Sequence, residues 1–191
     1  MKLARNLTPD IHWGKQGIAQ LNTKTQITVA KPAQAKQLNA YIHEIFATSN
    51  HLITHASEYR MGPWRRRRWI ARKLVNSEEI CLLAVNNGDI VGMIDCWTDR
   101  RKRVTHSTCF AMSVKSGWRC KGVGSLLLRH FIEWVKAHPV LERIELHVHS
   151  DNSHAITLYK NFDFQVEGTR KRVVKYEDGR VVDDHIMALW P

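Results

Sequence analysis

Long apolar runs are missing from this sequence. The longest, residues 80–85, falls far short of the roughly 18 residues needed to span a bilayer. The opening residues, MKLARNLTPDIHWG, lack the apolar core of a secretory leader, which sets the expectation of a cytoplasmic protein with no membrane role. Cysteine is sparse: Cys81, Cys96, Cys109 and Cys120 are the four among 191 residues, and no two form a C-x-x-C pair. That spacing argues against a disulfide framework or a zinc knuckle and predicts reduced, mostly buried thiols. Histidine numbers 11, yet the H-x-H pair of His147 and His149 has no third ligand matched to it, so no metal is expected. Acidic residues are also few. Asp plus Glu total 18 against 29 Lys plus Arg, a net charge of +11. Such an excess favours anionic partners and says nothing about the fold. Whole-chain disorder is excluded, since 43% of residues are hydrophobic and 25% charged, as in ordinary globular domains.

What is present reads as a mixed α+β chain with about seven strands and four helices. Residues 1–26 are polar and aperiodic, and read as an extension preceding a domain at 27–191. A short strand at 27–30 ends at Pro32. From Ala33, Leu38, Tyr41, Ile42, Ile45 and Phe46 recur at helical spacing. A second helix follows Pro63, with Trp69, Ile70 and Leu74 expected on its buried side. Runs 80–85 and 90–97 flank Asn87-Gly88, a two-residue hairpin turn in which both residues take positive φ. A strand at 105–114 precedes the clearest helix, 122–137, whose apolar face is Val123, Leu127, Phe131 and Trp134. A strand at 144–149, a short helix at 153–161 and two strands at about 164–176 and 181–189 complete the chain.

The chemistry concentrates where strand meets long helix, in Arg119, Cys120, Lys121, Gly122, Val123, Gly124 and Ser125. Glycines let a backbone approach a ligand closely, and the first N–H groups of a helix are free to bind an anion. The segment is not a P-loop, because G-x-x-x-x-G-K-[ST] is absent, nor a dinucleotide-binding turn, because the third glycine is missing.

The order of two motifs identifies a family. Arg119-x-x-Gly122-x-Gly124 opens the long helix, and Asn152-x-x-Ala155-x-x-x-Tyr159-x-x-x-Asp163-Phe164 follows the next strand. Together they resemble the GCN5-related N-acetyltransferase (GNAT) superfamily, with its Q/R-x-x-G-x-G/A loop and its later N-x-x-A-x-x-x-Y-x-x-x-G-F. This chain departs from the second pattern at Asp163, where glycine is usual. The resemblance covers roughly 27–190 and is nearest in look to the amino-acid and ribosomal-protein acetylating branches. It implies a mostly antiparallel seven-stranded sheet, splayed between its fourth and fifth strands and flanked by about four helices. It also implies acetyl-CoA as acetyl donor and a primary amine as acceptor, on a small molecule or a protein N-terminus. By the same resemblance, pantetheine pairs with the backbone of Met112, Ser113 and Val114, amides from Cys120 to Ser125 hold the pyrophosphate, and the thioester lies near Asn152.

Tyr159 stands two helical turns from Asn152 on the same face, so its hydroxyl is placed to protonate a departing thiolate. His147 occupies the position, five residues before Asn152, where related enzymes carry a glutamate base, and its ordinary pKa range suits the task. Glu145 and His149 share its strand face by alternation. A nucleophilic role for Cys109 or Cys120 is not expected, because direct transfer needs no acyl-enzyme. Finally, Arg65, Arg66, Arg67 and Arg68 lie between Trp64 and Trp69, a mixture that suits an anionic partner such as RNA or a ribosome. An RNA- or ribosome-binding module with a silent acetyltransferase fold is therefore the alternative reading. Self-association is left open.

Overall fold

The computed structural model describes residues 24–191, so most of the expected N-terminal extension lies outside the described residues. Seven strands form one sheet in the order β1-β2-β3-β4-β5-β7-β6. They are β1 (Thr25–Val29), β2 (Cys81–Asn86), β3 (Asp89–Thr98), β4 (Ser107–Val114), β5 (Arg143–His149), β6 (Gln165–Lys175) and β7 (Val181–Leu189). Every pairing is antiparallel except that of β4 with β5. Four helices cover it: α1 (Ala35–Thr48), α2 (Pro63–Val75), α3 (Val123–Lys136) and α4 (Ser153–Lys160). The first strand starts at Thr25, two residues before the boundary expected from composition. A 3-10 turn at Pro32–Gln34 delays the first helix to Ala35.

Both faces of β2 are covered, which explains its continuous apolar run. Leu82 and Ala84 join the α3 side of the core, with Leu127, Phe131 and Ile144; Cys81 and Leu83 join the α1/α2 side, with Leu38, Ile42 and Ile70. The tight turn between β2 and β3 places Asn87 at φ 48° and Gly88 at φ 88°, as its sequence requires. Helix α3 then presses so closely on β3 that a Cβ at Gly92 would lie 2.9 Å from Leu127 and 3.0 Å from Val123.

Helix α2 departs from its expected pattern. Leu74 is half exposed, and the inward positions beside Ile70 are Arg66 and Lys73. Their charges find partners that sequence periodicity cannot display. Lys73 Nζ lies 2.6 Å from Asp95 Oδ1 and 3.2 Å from Glu79 Oε2, and it also donates to the Cys96 carbonyl. Arg66 donates to the Tyr59 hydroxyl and stacks 4.6 Å from the Trp69 ring.

The feature that shapes the site is the short parallel ladder. Strands β4 and β5 pair only at Ser107 with Arg143, Thr108 with Ile144 and Cys109 with Glu145. Beyond that last pair β4 continues to Val114 and β5 to His149, each without the other. The expected splay is present.

Candidate active site

Lys115 donates its backbone N–H to Val91 on β3. Antiparallel alternation therefore turns the backbone groups of Met112 and Val114 the other way, into the gap. Ser113 faces the α1 side, where the Tyr41 hydroxyl meets both its carbonyl and its Oγ at 2.9 Å. An ion pair of 2.8 Å between Lys115 and Glu44 pins the same strand end to α1.

Just past β4, Arg119 folds back and donates from Nε to the Val114 carbonyl at 3.2 Å. Cys120 at φ 56° and Gly122 at φ 79° both take left-handed backbone, which bends the loop around the start of α3. The first helical bond runs from Leu126 N–H to the Gly122 carbonyl. Among the described residues the N–H groups of Cys120 through Ser125 meet no acceptor. They and the helix dipole are available to an anion. The side chains of Cys120 and Lys121 are exposed, while Val123 is buried in the core and offers only its amide. A Cβ at Gly124 would stand 3.2 Å from Leu158 on α4, so this glycine seats α3 against α4 beside the gap.

Helix α4 begins at Asn152, whose Oδ1 accepts from Ala155 N–H at 3.3 Å and so caps it. Tyr159, one side of which meets Phe110 and Phe164 with ring centroids 5.8 Å away, is nearly enclosed. Burial pushes its phenol well above the usual tyrosine range, so it stays protonated. Its hydroxyl has no hydrogen-bond partner among the described residues. Asp163 sits at φ 66°, the left-handed position where the family carries glycine.

His147 lies on the opposite face of the sheet from α3, with Nδ1 3.1 Å from Asp184 Oδ2 and Nε2 3.3 Å from Glu145 Oε1. Both ring nitrogens thus face carboxylates. Burial alone would raise the Glu145 carboxyl, but hydrogen bonds and charge from Arg143 and His147 hold it below the usual range. Asp184 is 1% exposed; its Oδ2 also accepts from Arg170, and its Oδ1 is buried without a partner among the described residues. Sequence reasoning missed Asp184, because only the β5–β7 register brings it beside His147.

His149 belongs to a second constellation. Its Nδ1 lies 2.9 Å from the Tyr176 hydroxyl, which donates to Asp151 at 3.1 Å and stands 3.3 Å from His51. These contacts tie the segment after α1 and the β6–β7 hairpin to the end of β5. Burial lowers the His149 imidazole below its ordinary value. His51, His149 and Asp151 form one group able to hold a metal, and Cys109, Glu145 and His147 form another. Beside the last β4–β5 pair, on the same face as His147, a cavity of about 550 Å³ is lined by Trp97, His106, Cys109, Arg143, Glu145 and Trp190, among others.

Of the four cysteines, all unpaired, Cys81 and Cys96 are buried, Cys109 is half-buried and Cys120 is exposed. Burial and the neighbouring Glu145 push the Cys109 thiol up to about 12, which makes it a poor nucleophile. No helix of the described residues is long and apolar enough to cross a membrane.

Comparison with known proteins agrees with this geometry. Over 107 residues, 56% of this chain and 65% of the relative, the sequence is 38% identical to the L-amino acid N-acetyltransferase of Escherichia coli K12. The matches to curated relatives span between about half and two thirds of their lengths. The structure of a GNAT-family acetyltransferase from Streptococcus pneumoniae superposes with a TM-score of 0.85 at 28% identity, covering 87% of this chain and 99% of that one. The yncA structure from Salmonella typhimurium, solved with its cofactor acetyl-CoA, shares the fold at a TM-score of 0.76 and 18% identity, covering 87% of this chain and 94% of that one. Residues 39–164, more than half of the chain, match the family model described as acetyltransferase (GNAT) family, and the chain belongs to that family.

Proposed function

We propose that this protein is an acetyl-CoA-dependent N-acetyltransferase whose acceptor is the primary amine of an amino acid or a similar small molecule. One observation carries the reading: β4 and β5 part after Cys109 and Glu145, and the free N–H groups at the start of α3 stand at the mouth of the gap. Met112 and Val114 offer backbone groups to the pantetheine amides, as a neighbouring strand would. The amides of Cys120 to Ser125, with Arg119 and Lys121 beside them, suit the pyrophosphate. The name of the Escherichia coli relative favours an amino-acid acceptor.

Bound acetyl-CoA supplies a thioester whose carbonyl carbon accepts the amine lone pair, the C–N bond forming as the C–S bond breaks and coenzyme A leaves as a thiolate. The residues on the acceptor face handle the protons. A neutral amine is needed, and Glu145, which lines the cavity, and the exposed His147 bonded to it take up its proton directly or through water. Asp184 holds the imidazole orientation from Nδ1. The Tyr159 hydroxyl, protonated at any working pH, donates to the leaving sulfur. Asn152 keeps α4, and with it Tyr159, in register with the gap.

The test is coenzyme A release, followed with a thiol reagent, across a panel of amino acids, polyamines and N-terminal peptides. Acetyl-CoA should bind in calorimetry, and at least one free amino acid should support turnover. Absence of acetyl-CoA binding at millimolar ligand overturns the reading. Turnover with peptides alone would move the acceptor to a protein N-terminus.

A further inference from the structure

The outward face of α2 has no part in the site above. Its sequence, PWRRRRWIARKLV, contains six cations and no acid. Two of them turn inward and are neutralised or bonded there, Lys73 by Asp95 and Glu79 and Arg66 by Tyr59. Arg65, Arg67, Arg68 and Arg72 point outward, all exposed. None of these four meets a carboxylate among the described residues. Solvated helix faces ordinarily intersperse acids, because like charges four residues apart repel. Arg68 and Arg72 stand at that spacing, and the fold offers nothing in return.

Two tryptophans stand among these arginines. Trp64 is 66% exposed, an unusual cost for so large an apolar ring, and Arg68 lies 5.0 Å from its centroid. Trp69 is held from within by Arg66 and Lys73, at 4.6 and 5.1 Å. Trp64, Arg65, Arg68, Trp69 and Arg72 line a shallow cleft of about 430 Å³ on one side of the helix. From Arg65 to Arg72 the helix rises about 10 Å, the length of about three stacked nucleotides.

We propose that this cleft binds single-stranded RNA, its phosphates on Arg65, Arg68 and Arg72 and a base stacked on Trp64. Cations alternating with an open aromatic ring match a strand that alternates phosphate with an unpaired base. RNA is the nucleic acid that ordinarily exposes unpaired bases. An acidic peptide would satisfy the arginines and leave the ring uncovered. A lipid surface would need an apolar outer stripe, whereas Trp64 stands at one end of the helix and Leu74 and Val75 at the other, with arginines between them. The net charge of +11 adds long-range attraction of the same sign.

The experiment uses a short fluorescein-labelled oligouridylate and fluorescence anisotropy on the full chain between about 50 and 200 mM salt. Three phosphate contacts predict a log–log salt slope of about −2, at roughly 0.7 per phosphate on a single strand. The triple variant R65Q/R68Q/R72Q should weaken binding at least about tenfold and flatten the slope. Trp64→Ala should weaken it by about tenfold and leave the slope unchanged. Both variants should keep their melting temperature and their affinity for acetyl-CoA, so this result is independent of the catalytic reading. The proposal is overturned by absent binding in the unmodified protein or by undiminished binding in the triple variant. Equal binding of duplex RNA or polyglutamate overturns it too, as does displacement by anionic phospholipid vesicles.

Discussion

Tyr159 and Asp163 show how single positions report on the site. A phenol enclosed by Phe110 and Phe164 would be a core residue on any amphipathic helix, and its packing alone does not distinguish the two roles. Its hydroxyl meets no partner among the described residues, so removing that one group separates the two roles. Replacing it tests this directly. Tyr159→Phe keeps the ring, so acetyl-CoA affinity should stay within a few-fold while kcat falls about 10²–10⁴-fold, the range of a positioned acid. Calorimetry and initial rates measure the two quantities, and an undiminished kcat would reduce Tyr159 to packing. Asp163 explains the one departure from the family's second motif. At φ 66° glycine pays no Cβ penalty, and aspartate is among the few other residues that visit this region readily. The backbone conformation is kept while the residue changes. His147, by contrast, stands where the resemblance implies a glutamate, and only the structure supplies Asp184 as its partner.

At the scale of elements, the order of helices and strands was legible from periodicity, from Asn87-Gly88 and from the prolines at 32 and 63. Strand boundaries shifted by a residue or two. What could not be read was which charged residues turn inward. A binary pattern assigns Lys73 to solvent and Leu74 to the core, whereas α2 does the reverse because Asp95 and Glu79 wait on its inner side. The pair of Lys73 with Asp95 joins residues 22 apart in sequence and has no local signal. Burial raises the Asp95 carboxyl to about 6 despite the attraction of Lys73. A carboxyl raised in the folded state contributes most stability below its unfolded pKa and loses it as pH rises through about 6. Lys73→Met removes the counter-ion and lifts that carboxyl further. The variant should lose about 3–5 kcal/mol at neutral pH, the cost of an unpaired buried charge. The deficit should shrink as the pH is lowered to about 5 and Asp95 takes up a proton. Thermal melts at the two pH values decide it. A deficit independent of pH would mean that packing, not charge, is what the lysine provides.

Across the whole molecule, the proposed acetyl transfer rests on a ladder that stops early. A sheet with β4 and β5 fully paired would have no place for an extended ligand; this one pairs three residues and then opens. The gap is held open from both sides, by Tyr41 and Lys115 on the α1 side and by Gly124 against Leu158 on the other. A ligand that fills it should act as the missing strand and join the two halves of the sheet. Because acetyl-CoA would bind only the folded chain, it should raise stability by about 2.7 kcal/mol at a hundredfold excess over its Kd. For a chain of this size that is a rise of roughly 5–11 °C in Tm. The contribution of the loop can be separated from that of the gap. S-acetylpantetheine carries the thioester and the pantetheine arm without the pyrophosphate, and should give a smaller rise at the same concentration. Gly122→Ala puts a Cβ on a backbone at φ 79°, which strains the cradle while leaving the gap intact. It should lower the acetyl-CoA shift to less than half of that in the unaltered protein. An equal shift in both proteins would take the pyrophosphate away from the start of α3 and leave the strand gap as the whole of the binding site.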